Sequence, residues 1–115
     1  MNVKEFYQIT NGNYEQALKI MMNDSFIERM LGKFIANNSY DEIISCYAKK
    51  DFETLFAAVH TFKGVVGNLA LTPLFEIASI IIEATRSLQV ANIDQEIVKL
   101  KERYELVVNT YQKLA

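Results

Sequence analysis

Asp51-Phe52-Glu53-Thr54-Leu55-Phe56-Ala57-Ala58-Val59-His60-Thr61-Phe62-Lys63-Gly64-Val65-Val66-Gly67-Asn68-Leu69 is the stretch on which the fold turns. Its apolar residues Phe52, Leu55, Val59, Phe62, Val66 and Leu69 recur at alternating spacings of three and four. That is the period of a helix with one face turned into a bundle. Asp51 is a good N-cap. At about 100° per residue the inward stripe centres near Val59 and Val66. His60, Gly64 and Gly67 fall to one side of it, with Lys63 between them and the stripe's edge, and Phe56 borders both faces. The histidine therefore stands at the shoulder of the bundle.

The same period continues on both sides. A short helix with Phe6 and Ile9 ends near Thr10-Asn11-Gly12. Asn13 caps a helix from Tyr14 to about Met22, with Gln16 at its third position. Asn23 or Asp24 opens the next, striped by Phe26, Ile27, Met30, Leu31, Phe34 and Ile35. Asn37-Asn38-Ser39 is a break, and Ser39-Tyr40-Asp41-Glu42 resembles a capping box. The helix that follows carries Ile43, Ile44, Tyr47 and Ala48, with Lys49-Lys50 suited to its C-terminal end. Thr72 as cap with Pro73 at the first helical position marks another start. Its stripe is Leu74, Phe75, Ala78, Ile81, Ile82, Thr85 and Leu88, while Ile77 and Ile80 lie off it, through deeper burial or as a contact surface. Asn92 caps the last helix, with Ile97, Leu100, Tyr104, Val107, Val108, Tyr111 and Leu114. The expectation is an all-α fold: an antiparallel four-helix bundle of residues 24–49, 51–69, 73–89 and 93–114. One or two short N-terminal helices cover an end or side.

The chain of 115 residues reads as a single domain, 1–115, without internal repeat or linker. Its net charge of -2 gives no case for nucleic acid. No apolar run reaches the roughly 20 residues of a membrane span. The start, Met1-Asn2-Val3-Lys4-Glu5-Phe6, lacks the layout of a signal peptide. Cys46 has no internal partner and falls among apolar helix residues, which points to a buried, inert thiol and a cytoplasmic setting.

His60, Lys63, Gly64 and Gly67 share one helix face. An imidazole offers a nucleophilic ring nitrogen. An ammonium group one turn on suits phosphate oxygens, and phosphoryl transfer relies mainly on positioning and charge. A glycine inside a helix costs about 1 kcal/mol against alanine, so two of them call for close approach by something. Taken singly, each residue has an ordinary reading: a surface histidine, a solvated lysine, glycines that serve helix packing or end the helix. Their conjunction on one face is the informative observation. With one histidine and no Cys/His cluster, no metal site is expected. Glu76 and Glu83 read as solvated face residues, and no Ser-His-Asp arrangement is legible.

Ala58-Val59-His60-Thr61-Phe62-Lys63-Gly64-Val65-Val66-Gly67-Asn68-Leu69 resembles the signature of histidine-containing phosphotransfer (HPt) domains. That signature is a histidine, a lysine and a glycine three and four residues later, then small residues and often a second glycine. Lys50-Asp51-Phe52-Glu53-Thr54-Leu55 looks like the acidic-capped entry to the family's active-site helix, and Thr72-Pro73-Leu74 with Ile82-Glu83 like the helix that follows. The resemblance covers about residues 14–114. It implies an antiparallel four-helix bundle with the histidine exposed midway along a helix. By position, His60 is then the phosphoacceptor and Lys63 stabilises the phosphoryl group. Gly64 admits a receiver domain, and Gly67 keeps the same face open. Three departures stand out. Val65-Val66 is bulkier than the usual small pair, Ala70 stands where many members have glycine, and Phe62 replaces a common leucine.

The resemblance implies a phosphorelay intermediate that exchanges a phosphoryl group with an aspartate of response-regulator receiver domains, or takes it from a sensor histidine kinase. No Walker loop or kinase ATP lid is present, so the chain is a carrier without autonomous kinase activity. It needs no cofactor of its own; the Mg²⁺ is expected on the partner receiver. Phe56 is the foremost docking residue, with Phe26 and Phe6 as lesser candidates whose ordinary reading is core packing. A monomer is expected, and Met1 with the compact ends favours a freestanding carrier over a domain of a hybrid kinase. The competing readings are a receiver-binding adaptor or inhibitor that transfers nothing, and a structural helical-bundle module.

Overall fold

The computed structural model describes residues 1–87 and 93–114. These residues form seven helices and no strand: α1 (Val3–Thr10), α2 (Tyr14–Met21), α3 (Asp24–Ala36), α4 (Ser39–Ala48), α5 (Phe52–Asn68), α6 (Thr72–Arg86) and α7 (Ile93–Tyr111). No helix among the described residues is long and apolar enough to cross a membrane.

The expected four legs are present, the first of them in two pieces. α4 packs on α5, α5 on α6, α6 on α7, and α3 closes the ring against α7. The break falls at Asn37, whose backbone is extended. Its side chain differs from the expected cap, however. Ser39 lies inside α4, and both its N–H (2.9 Å) and its hydroxyl (2.8 Å) donate to Asn37 Oδ1. Asn38 holds the N-cap position without a side-chain bond. The capping box at Ser39 is thus replaced by an Asx-type turn from Asn37, two residues earlier. Similarly, Thr72 does not cap α6. Leu71 is the N-cap, Thr72 is the first helical residue, and Pro73 is second, where its missing N–H would have been unpaired anyway. α6 ends at Arg86, capped by Ser87, short of the expected residue 89. Leu88 of the expected stripe and Asn92, the expected cap of the last helix, lie outside the described residues.

The core sits between the legs. Leu55, Val59, Phe62, Val66 and Leu69 of the α5 stripe are buried, joined by Ala58, while Phe52 is only half-buried. Burial of each large side chain stabilises by about 1.5–3 kcal/mol. Phe34 from α3 packs on Phe62 (ring centroids 5.6 Å) and edge-on to Tyr104 of α7 (5.8 Å), and Tyr104 stacks flat on Tyr40 of α4. An aromatic column thereby ties α3, α4, α5 and α7. On α6, Ile77 is core, whereas Ile80 faces solvent. Phe75 departs from the expected stripe and is 38% exposed. Phe6 and Ile9 both lie in α1, as expected; Val3, Phe6, Tyr7 and Thr10 are its buried residues, and Ile9 is exposed. Cys46 is buried, as expected.

The two N-terminal helices fix the far end of α5. The Tyr7 hydroxyl donates to Leu69 C=O at 2.6 Å, and Asn13 N–H donates to Ala70 C=O at 2.9 Å. Gly12 makes that approach possible: a Cβ there would lie 2.6 Å from the Tyr7 ring and 2.9 Å from Ala70 O.

Candidate functional site

α5 begins at Asp51, whose carboxylate accepts from Thr54 N–H at 3.2 Å. The Thr54 side chain and backbone hold the Asp51 carboxyl below the usual carboxylate range. The helix ends in a Schellman motif: Leu71 N–H donates to Val66 C=O (3.0 Å) and Ala70 N–H to Gly67 C=O (3.1 Å). Ala70 takes the left-handed position with φ 53°. That geometry accounts for the place where relatives of the motif carry glycine, since only glycine adopts it without a Cβ penalty.

Between these ends, His60 is exposed at the middle of the helix. Its imidazole lies against Phe56, with ring centroids 6.1 Å apart and planes at 33°. Phe56 is half-buried, and the Arg86 guanidinium of α6 lies 6.0 Å from its centroid. Arg86 is held in turn by Glu83 at 2.8 Å, both well exposed. Phe52, Glu53, Phe56, Thr85 and Arg86 line a shallow, mainly apolar cleft of about 350 Å³ beside the histidine's helix. Beyond Glu53, α5 carries no carboxylate, and Lys63 is its single lysine or arginine.

Gly64 is exposed, and a Cβ built on it meets nothing within 4 Å. The surface beside His60 is therefore open at that point. Gly67, by contrast, is occupied from across the bundle: a Cβ there would lie 3.2–3.3 Å from the ring of Phe75. The same ring carries the Lys63 ammonium on its face, 5.2 Å from the centroid. So His60, Phe56 and Gly64 meet on an open surface, while Lys63 and Gly67 are both engaged with Phe75.

Phe6 is fully buried against Tyr7 and away from any surface role. Phe26 is half-buried under the Arg29 guanidinium, 5.3 Å from its centroid. Arg86 and the exposed ring of Phe75 were not singled out from sequence. Both come from α6, and no spacing within α5 points to a residue on a neighbouring helix. Among the described residues no group of three His, Cys, Asp or Glu side chains is arranged to hold a metal ion.

Over residues 15–110 the chain matches the family model described as Hpt domain. The chain belongs to the Hpt domain family. Comparison with curated proteins gives no match, and neither does comparison with solved structures. Hpt membership implies histidine phosphotransfer in a phosphorelay, the role of a phosphocarrier and not of a kinase. It also implies interaction with receiver domains or kinases. The helical bundle is the architecture consistent with the Hpt fold.

Proposed function

We propose that His60 is the phosphoacceptor of this Hpt domain and that it exchanges its phosphoryl group with receiver-domain aspartates. The observation that carries this reading is an exposed imidazole at the centre of α5, beside the open backbone of Gly64, in a chain of the Hpt family. A ring nitrogen lone pair attacks phosphorus as the aspartyl P–O bond breaks, and that bonding pair leaves with the carboxylate. The attacking nitrogen of a neutral imidazole carries no proton, so none has to be removed. The reverse reaction returns the phosphoryl group to an aspartate. Such transfer is governed by alignment and charge. Lys63 supplies a mobile cation for the phosphoryl oxygens. Gly64 lets the receiver's backbone come close, and Phe56 with its cleft gives that partner an apolar foothold. The acidic pocket and Mg²⁺ belong to the receiver. The domain works as a cytoplasmic monomer, fed by a receiver or by a sensor histidine kinase.

The test is incubation with a panel of phosphorylated receiver domains, followed by intact mass, with His60→Gln as control. An acid-labile, alkali-stable phosphoryl adduct absent from the variant is the expected result. Binding to a receiver through the His60 face without transfer would instead make the domain a docking inhibitor.

A further inference from the structure

Lys63 is engaged with α6. Its ammonium lies on the face of Phe75, 5.2 Å from the ring centroid, and that ring is seated on Gly67. Gly67 is one turn C-terminal to Lys63 on α5, and His60 is one turn N-terminal. Helical side chains lean by default toward the N-terminus, which would bring this lysine toward the histidine. The ring seated at Gly67, one turn C-terminal, competes for the same ammonium. The contact needs all three residues: any side chain at position 67 would push the ring, and without the ring the lysine loses this partner. The ring is also 38% exposed, which leaves its face open to the ammonium.

We propose that Phe75 is a positioning residue that parks the Lys63 ammonium away from His60 until a phosphoryl group on the histidine draws it off. This rests on the reading of His60 as phosphoacceptor. In the unphosphorylated domain the Lys63 ammonium is then held on the ring of Phe75. On phosphorylation the anionic oxygens outcompete the quadrupole of the ring, and Lys63 swings along the helix to meet them. The face of an exposed ring holds a cation weakly, so parking should shift the reaction by only about two- to fivefold.

The experiment uses the whole chain and phosphoramidate as a small phosphoryl donor, which requires no receiver. In NMR spectra of the unphosphorylated protein, the Lys63 Hε resonances are expected upfield through the ring current. They are expected to return to ordinary positions in Phe75→Leu, to stay upfield in Phe75→Tyr, and to move downfield when His60 is phosphorylated. Phe75→Leu should take phosphate about two- to fivefold faster than the parent, and this gain should vanish in a Lys63→Gln background. Circular dichroism establishes that each variant is folded. Absence of the upfield shift, or a Phe75→Leu gain that persists without Lys63, overturns the proposal. An upfield shift that survives phosphorylation overturns the release and leaves His60 as the acceptor. A shifted lysine with no phosphate taken by His60 overturns the acceptor reading and the release with it.

Discussion

Gly64 and Gly67 lie three residues apart on one face of α5, and their surroundings are opposite. A Cβ at position 64 meets nothing within 4 Å, whereas one at position 67 presses on Phe75 at 3.2–3.3 Å. Each glycine costs the helix about 1 kcal/mol relative to alanine. At Gly67 the cost is offset inside the domain, because the gap lets α6 lay an aromatic ring on α5. At Gly64 no neighbour among the described residues offsets it. On the proposed reading, this weak point beside an exposed histidine is where the receiver docks. Two glycines that look alike in a motif thus have different surroundings, and the proposed function gives one to the bundle and the other to a docking receiver.

The strongest way to break this comparison is at the histidine itself. His60→Gln should abolish phosphoryl uptake entirely, read by intact mass. Because the side chain is exposed, its stability to denaturant should stay within about 0.5 kcal/mol of the parent. A variant that still takes phosphate would move the acceptor elsewhere and remove the meaning of the open surface.

Next come the glycines, in parallel. Gly64→Ala should raise stability by about 0.5–1 kcal/mol through helix propensity. It should slow transfer from a phosphorylated receiver by about tenfold, since small misplacements are costly in aligned transfer. Gly67→Ala should raise stability less, because the Phe75 ring must give by a few tenths of an ångström. It should change transfer by less than about fivefold, through Lys63 alone. Equal effects on transfer at the two positions would dissolve the distinction between partner and bundle.

The far end of α5 tests the bundle side further. Tyr7→Phe removes the hydroxyl from Leu69 C=O in a buried setting. A loss of about 1–2 kcal/mol in urea unfolding is expected, as the carbonyl is left unpaired. Burial already pushes the Tyr7 phenol well above its usual range, in keeping with a hydroxyl that must stay protonated to donate. Transfer at His60 should be unaffected.

The course of α5 was legible because its information is local. Asp51 as cap, the stripe from Leu55 to Val66, and the exposed shoulder at His60 follow from spacing along one helix. The element order followed for the same reason, from asparagine caps at Asn13 and Asn23 and the break at Asn37-Asn38-Ser39. What escaped was relational. The α6 stripe placed Phe75 inside because a phenylalanine at helical spacing reads as core. Nothing local indicates that a glycine on the opposite helix offers it a seat at the surface. Arg86 near Phe56 escaped likewise, being twenty-six residues from His60. The caps at Ser39 and Thr72 went wrong by one residue because both hydroxyls suit an N-cap, whereas the local turn at Asn37 and the burial of Leu71 go with a helix start one residue earlier.

The smallest effects concern the two turns that bracket α5. Lys50 and Ala70 each occupy the left-handed position after a helix, with φ 56° and φ 53°. Each sits in the same hydrogen-bond pattern, since Asp51 N–H donates to Cys46 C=O just as Leu71 N–H donates to Val66 C=O. Glycine relieves the strain of a Cβ there but loses more conformational entropy on folding, which leaves a net gain of about 0.5–1 kcal/mol. Lys50 is exposed, so Lys50→Gly should show that gain in full. Ala70 is buried, and its methyl belongs to the hydrophobic core. Ala70→Gly forfeits that burial, so it should gain about 0.5 kcal/mol less than Lys50→Gly. A larger gain at Ala70 would mean that the strain at this end reaches beyond one residue, through the Asn13 bond to its carbonyl. The seat of Phe75 would then have to be read as part of a strained corner, and Gly67 would no longer be the quiet member of the pair.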